Sequence, residues 1–337
     1  MTATEAPPRQ LSYGQAVQEA IAQEMRADPD VFLAGEDVAA YGGVFRTFSG
    51  LLAEFGPMRV VDTPISEQAI IGLGTGAAVS GLRPIVDLMF MDFVAVAMDQ
   101  IVNQAAKLKF MFGGSATVPL TITTWAGGGL GAAAQHSQCL EAILCHIPGL
   151  KVVMPSNPYA MKGLLTAAIR DDNPTVVVGQ KALLGAKGPV PEEQYVIRLG
   201  EANVEREGSD VTVVALGRMV RDALTAAETL AGEGIECEVI DPRSLQPFDT
   251  ATVVASARKT NRIVVAHEAV RFGGLGAEIA AQIQEEAFDH LDAPVTRVGA
   301  PFSPVPFSPA LEKHYLPNAG TIADGIRATL GRPAPGT

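Results

Sequence analysis

Short apolar runs alternate with helix-patterned stretches along almost all of this 337-residue chain, and no other feature constrains its fold as much. Residues 31–34, 59–63, 84–90, 120–124, 151–154 and 175–178 read as strands. Helical spacing fills the gaps. It covers 12–27, opened by Ser12 and closed before Pro29, the stretch beginning at Glu67, a long span over 92–110, a turn or two through Leu140 and Ile143, and Pro158–Arg170. Strands that return through helices lie parallel, with helices covering both faces of the sheet. Residues 185–209, which include GAKGPVPEEQ, lose this periodicity and read as a linker with one or two extended pieces. The pattern then restarts, with strands at 211–216, 236–240, 263–266 and 295–298 and helices at 218–232, 249–259 and 275–287. A proline-rich run precedes a short last helix at 321–330. The expected class is α/β, with two doubly wound domains at 1–190 and 210–337 joined by residues 191–209.

Three places in the first unit carry candidate chemistry. The stretch DTPISEQAIIGLGTGAAVSG, residues 62–81, puts Glu67 in the first turn of an apolar, small-residue helix, behind a Ser66 typed as its N-cap. Nothing basic follows until Arg83, and apolar surroundings favour the protonated form of a carboxyl group. The competing role for Glu67 is complementation of the helix dipole. Phe93 lies in Phe90-Met91-Asp92-Phe93, where a strand hands over to a helix. Open α/β sheets bind ligands at such ends, so its ring either stacks on a flat ligand or packs the core. His136 follows a loop with Gly127, Gly128, Gly129 and Gly131, which permits close backbone approach. It is either a proton donor or a structural histidine.

Two glycine runs, Gly72-Leu73-Gly74-Thr75-Gly76-Ala77 and Gly129-Leu130-Gly131-Ala132-Ala133-Ala134, fit a loose dinucleotide pattern. The first lies inside a helix, beyond its cap, and the second lacks an acid closing the next strand. A phosphate site needs its glycines between strand end and helix start, so nicotinamide binding is rejected.

Composition narrows the partners. A net charge of −12 argues against nucleic acid or an anionic membrane, and the low 18% of charged residues suggests a surface covered by partner subunits. No apolar run reaches the ~18 residues of a membrane span, and the start lacks a secretion signal. Cys139, Cys145 and Cys237 have no metal-ligand spacing and read as reduced thiols of a cytoplasmic protein.

In order along the chain, VFLAGEDVA, DTPISEQ, AAVSGLRPIVD, MDFVAVAMDQIVNQAAK, AAAQHSQ, HIPGLKVVMPSNPYAMKGLL, EGIECEVIDPRSLQPFD and PFSPVPFSPALEKHYLPN resemble one family. It is the β subunit of the thiamin-diphosphate-dependent decarboxylase component of 2-oxo acid dehydrogenase complexes, the pyruvate, branched-chain and acetoin enzymes among them. The resemblance runs from about Leu11 to Leu330. It implies a transketolase-like pyrimidine-binding domain followed by a transketolase C-terminal domain.

It also implies roles. Glu67 would hydrogen-bond N1′ of the cofactor's aminopyrimidine, Phe93 would stack on that ring, and Ile65 would touch it. His136 would supply a proton during reductive acyl transfer to a lipoyl group. Leu120, Ala168, Ile169, Asp171 and Asn173 would hold a structural potassium ion. The diphosphate–magnesium site of this class needs Gly-Asp-Gly, which the chain lacks. The resemblance therefore implies an α subunit holding magnesium and the phosphates, in a tetramer of two α and two β chains that serves a dihydrolipoyl acyltransferase core. The same lack argues against a single-chain transketolase. The expected reaction is decarboxylation of a 2-oxo acid with acylation of the lipoyl group. The alternatives are acetoin cleavage or a specialised transketolase-like β subunit. One loop departs from the family pattern: Gly179-Gln180-Lys181-Ala182-Leu183-Leu184 has glycine in place of an acid and leucine in place of tyrosine.

Overall fold

The computed structural model describes residues 9–332. Six of the seven strands described in the first sheet run parallel, in the spatial order Lys151–Val153, Thr175–Gln180, Thr121–Ala126, Arg83–Phe90, Val31–Gly35, Val60–Asp62. Thr296–Ala300, Ile263–Val270, Val211–Ala215 and Cys237–Asp241 run parallel in the second, with Asn203–Arg206 antiparallel at its edge. Strands covered on both faces need apolar residues at successive positions rather than alternate ones. Thr175–Gln180 and Val211–Ala215 meet that demand and are buried throughout.

The helices follow their sequence signals where those signals are local. Ser12 caps Tyr13–Ala27 in a reciprocal box with Gln15: its hydroxyl accepts from the Gln15 amide at 3.1 Å, and the Gln15 side chain accepts from the Ser12 amide at 2.8 Å. Pro158–Arg170 packs against that helix on one face of the first sheet. On the other face lies Glu67–Val79, where a Cβ at Gly74 would come within 2.8 Å of Val86 and Leu120. The core on that face is continuous between the two sheets, joining Ile71, Val86 and Ile122 to Ile240, Val265 and Ile279.

Two local expectations are corrected, two elements arise without a sequence signal, and one expected extended piece finds its partner. The long helix over 92–110 is broken into a 3₁₀ turn at Met91–Ala95, a π turn at Gln100–Ala105 and one α turn at Leu108–Met111. Gly149 crosses so close to Ala106 that a Cβ on it would meet the Ala106 carbonyl, and Asp92 is turned inward to accept from Gln138. These contacts prevail over a weak helical preference in a segment rich in valine and isoleucine. Ser66 occupies the N-cap position but makes no side-chain cap hydrogen bond. Ser244–Gln246, without strand signal in the sequence, pairs antiparallel with Lys151–Val153 at the edge of the first sheet. Pro309–Tyr315 forms a helix inside the proline-rich region, with Pro309 at its start, where a missing N–H costs nothing. Lys187–Pro189, in the polar segment, pairs with Gln10–Ser12.

All three cysteines are free thiols. Among the described residues no helix is long and apolar enough to cross a membrane.

Candidate active site

The strands Val31–Gly35, Val60–Asp62 and Arg83–Phe90 end together, and their C-terminal ends open onto a cleft of about 550 Å³. Ile65, Glu67, Phe93 and His136 all line it, beside Glu36 and Phe90. Residues singled out from three separate stretches of sequence thus share one cavity at the ligand-binding end of a parallel sheet.

Each is delivered by a distinct device. Glu67 is the first residue of its helix and is half-buried, so this chain alone does not enclose it in the apolar surroundings expected from the sequence. Among the described residues nothing donates a hydrogen bond to its carboxyl group. Across the cleft, burial, and then the negative charges of Asp37 and Glu67, raise the Glu36 carboxyl above its ordinary range. Ile65 is 76% exposed at the rim, an unusual position for an isoleucine.

Phe93 is brought in by a sharp end to its strand. Met89 adopts φ +52°, a left-handed conformation that costs a non-glycine residue of order 1–3 kcal/mol. Contacts on both sides hold it. The Met89 amide donates to Asp87 at 3.3 Å, and its carbonyl accepts from the Thr124 hydroxyl at 3.1 Å. Asp87 also accepts from Thr123 at 2.7 Å, and complete burial pushes its carboxyl up to about 7. Asp87 is therefore an internal brace of the strand end.

The His136 ring sits edge-on to two aromatic rings, 4.7 Å from Phe90 and 5.4 Å from Phe93 between centroids. Such pairs contribute roughly 0.5–1.5 kcal/mol each beyond burial, enough to favour one ring orientation. The His136 carbonyl accepts from the ammonium group of Lys181, a buried lysine 5.0 Å from the Phe90 ring centre. Lys181 belongs to the loop that departs from the family pattern. The reason for the glycine there is steric: a Cβ at Gly179 would lie 2.7 Å from Cε3 and Cζ3 of Trp125. That indole is wedged by Phe45 and Tyr13. Gly179→Ala is expected to destabilise the chain by about 1–3 kcal/mol in chemical denaturation, as overpacking does, with recovery when Trp125 is shortened to leucine. Unchanged stability would mean that the indole has room to move.

The residues expected to hold potassium form a connected network whose side chains already have cationic partners. Asp171 accepts from Lys151 at 2.5 Å and Asn173 from Lys109 at 2.8 Å. The Ile169 carbonyl accepts from Arg83, while those of Leu120 and Ala168 accept from backbone amides of Thr175 and Asp171. Burial alone would raise the Asp171 carboxyl, but hydrogen bonds from Lys151 and Asn173 hold it below its ordinary range. The side chains of Asp171 and Asn173 therefore do not fit a potassium ion: Lys109, Lys151 and Arg83 supply the positive charge that the ion was expected to bring.

Sequence reasoning missed the acids that hold the glycine loop. Glu268 lies inside the strand Ile263–Val270, and an acid within an apolar strand was the available signal. Glu312 carried no signal, because only the tertiary fold brings its helix to the loop.

Comparison with known families and proteins agrees across the chain. Residues 9–187 match the pyrimidine binding domain of transketolase, and residues 200–322 match its C-terminal domain. The chain is 48% identical to the β subunit of acetoin:2,6-dichlorophenolindophenol oxidoreductase from Bacillus subtilis, over 97% of this chain and 99% of that one. The corresponding subunit of Cupriavidus necator is 49% identical, over 96% and 98%. Identity is 44% to the β subunit of the pyruvate dehydrogenase E1 component of Rickettsia felis, over 94% and 98%. Among solved structures, a split-gene transketolase described as an inactive β4 tetramer superposes with a TM-score of 0.78 at 26% identity, covering 95% of this chain and 98% of that one.

Proposed function

The chain belongs to the β subunits of the thiamin-diphosphate-dependent pyruvate and acetoin dehydrogenases, and we propose that it supplies the pyrimidine half of an active site completed by an α chain. The observation that carries this reading is the convergence of Ile65, Glu67, Phe93 and His136 on one cleft. When bound, thiamin diphosphate supplies the electron sink for cleavage of the bond next to the substrate carbonyl. Glu67, whose carboxyl group accepts no hydrogen bond among the described residues, would hold a proton at ring nitrogen N1′. Phe93 and Ile65 would grip the pyrimidine, and His136 would donate a proton during acyl transfer to a lipoyl group.

The exposure of Ile65, Tyr41 and Val44 around the cleft supports a rim covered by a second chain. The absence of Gly-Asp-Gly from the sequence supports an α chain that holds magnesium and the diphosphate. The related transketolase described as inactive in its β4 form supports the same division. We propose a tetramer of two α and two β chains that serves a dihydrolipoyl acyltransferase core in the cytoplasm, a setting suited to three free thiols. A potassium ion, if bound, would be limited to backbone carbonyls, and no step depends on it. Of the two substrate classes, 48–49% identity to acetoin subunits against 44% to the pyruvate subunit favours acetoin.

The test is calorimetry of thiamin diphosphate with magnesium, on this chain alone and on this chain co-expressed with its α chain. Binding is expected only in the mixed assembly, followed by turnover of acetoin or a 2-oxo acid. Tight binding by the lone chain would sink the split-site reading.

A further inference from the structure

The glycine loop that leads to His136 is held by the second domain. Glu312, on the helix Pro309–Tyr315, is only 4% exposed and places both carboxylate oxygens on the loop backbone. One accepts from the Gly129 amide at 2.8 Å and the other from the Gly131 amide at 3.0 Å. Glu268, 5% exposed on the strand Ile263–Val270, accepts from the Gly128 amide at 2.6 Å and from Arg218 at 2.7 Å. Glycine is required here. Gly127, Gly129 and Gly131 have φ of +92°, +94° and +66°, and a Cβ at Gly127 would lie 2.8 Å from a Glu268 oxygen.

At the other end of the loop, Asp92 accepts from the Gln138 amide and side chain, and Lys181 grips the His136 carbonyl. Hydrogen bonds to buried carboxylates are about twice as strong as neutral ones, and a buried carboxylate left unpaired is strongly destabilising. The loop is thereby tied at one end to the second domain and at the other to the first.

We propose that Glu312 is a positioning residue that sets the place of His136 through the glycine loop, so that the second domain forms part of the catalytic apparatus. The inference rests on the acyl-transfer role proposed for His136. Displacement of a reacting group by about 1 Å can cost up to about 100-fold in rate, so a clamp on the loop that bears it is consequential.

The test is a double-mutant cycle in the assembled α–β enzyme, reading acyl transfer to a lipoyl domain and turnover with an artificial electron acceptor. Glu312→Gln keeps the shape of the side chain and removes its charge. It is expected to lower acyl transfer by about tenfold in kcat, with less effect on KM for the lipoyl domain. On the His136→Ala background the same substitution is expected to cost nothing further. Equal losses on both backgrounds, or no loss on either, would overturn the proposal. If His136→Ala itself leaves acyl transfer intact, the role given to His136 fails, a result distinct from failure of the clamp. Glu312→Asp, which keeps the charge but shortens the reach, provides a second variant should glutamine disturb folding. It is expected to give a smaller loss that also disappears on the His136→Ala background, and persistence there would likewise overturn the proposal.

Discussion

Replacing Glu67 by glutamine is expected to lower turnover by about 100-fold or more while leaving assembly and cofactor binding close to normal. Glutamine preserves the volume and the hydrogen-bonding reach of the side chain but cannot give up a proton at ring nitrogen N1′. Loss of positioned proton transfer costs about 10²–10⁴ in rate. The fold should be indifferent to the change. Among the described residues Glu67 has no hydrogen-bond partner to lose, and a favourable interaction with the helix N-terminus at this half-buried site is worth no more than about 2 kcal/mol. The substitution also removes one of the charges that raise Glu36, so the Glu36 carboxyl should move back toward its ordinary range. Steady-state turnover with an artificial acceptor, alongside cofactor calorimetry, checks the expectation. Wild-type turnover in the Glu67→Gln enzyme would end the catalytic assignment.

His136→Ala is expected to separate two activities. Acyl transfer to the lipoyl group should fall by about 100-fold, whereas turnover with an artificial acceptor should fall much less. The loop itself should keep its path, because its anchors act on backbone groups or on Gln138. Lys181 binds the His136 carbonyl, Asp92 binds Gln138, and Glu268 and Glu312 bind glycine amides. The ring is half-buried against Phe90 and Phe93, so its removal costs two edge contacts and opens the cleft. Equal losses in the two assays would contradict a role confined to acyl transfer.

Legibility of the site varied with the distance over which each residue is specified. Glu67 could be read because the signals around it are local: a strand, a proline turn and an apolar helix within one stretch of twenty residues. Phe93 stands at a strand end as its sequence predicts, yet the helix expected after it is broken by contacts with Gly149 and Gln138 that lie far along the chain. Asp171 and Asn173 lie in the short connection between Pro158–Arg170 and Thr175–Gln180, but Lys109 and Lys151, remote from it in sequence, decide what their oxygens bind. The glycine at 179 has no local explanation in the sequence, because it is the Trp125 ring, distant along the chain, that fills the space where a side chain would stand.

By itself the sequence determined the α/β class, the parallel sheets, the individual helices such as Pro158–Arg170 and the identity of the residues that meet in the cleft. The class, the sheets and the helices follow from periodicity and capping, which operate between neighbours a few residues apart, whereas the cleft residues follow from motifs that resemble a known family. Only the tertiary structure decided that Ser244–Gln246 closes the edge of the first sheet, that lysines occupy the expected ion ligands, and that Glu312 holds Gly131 from 181 residues away. Those contacts form between groups with no shared local pattern. Each exists only once the packing of two sheets across a common core has set the distance and the burial that make it favourable.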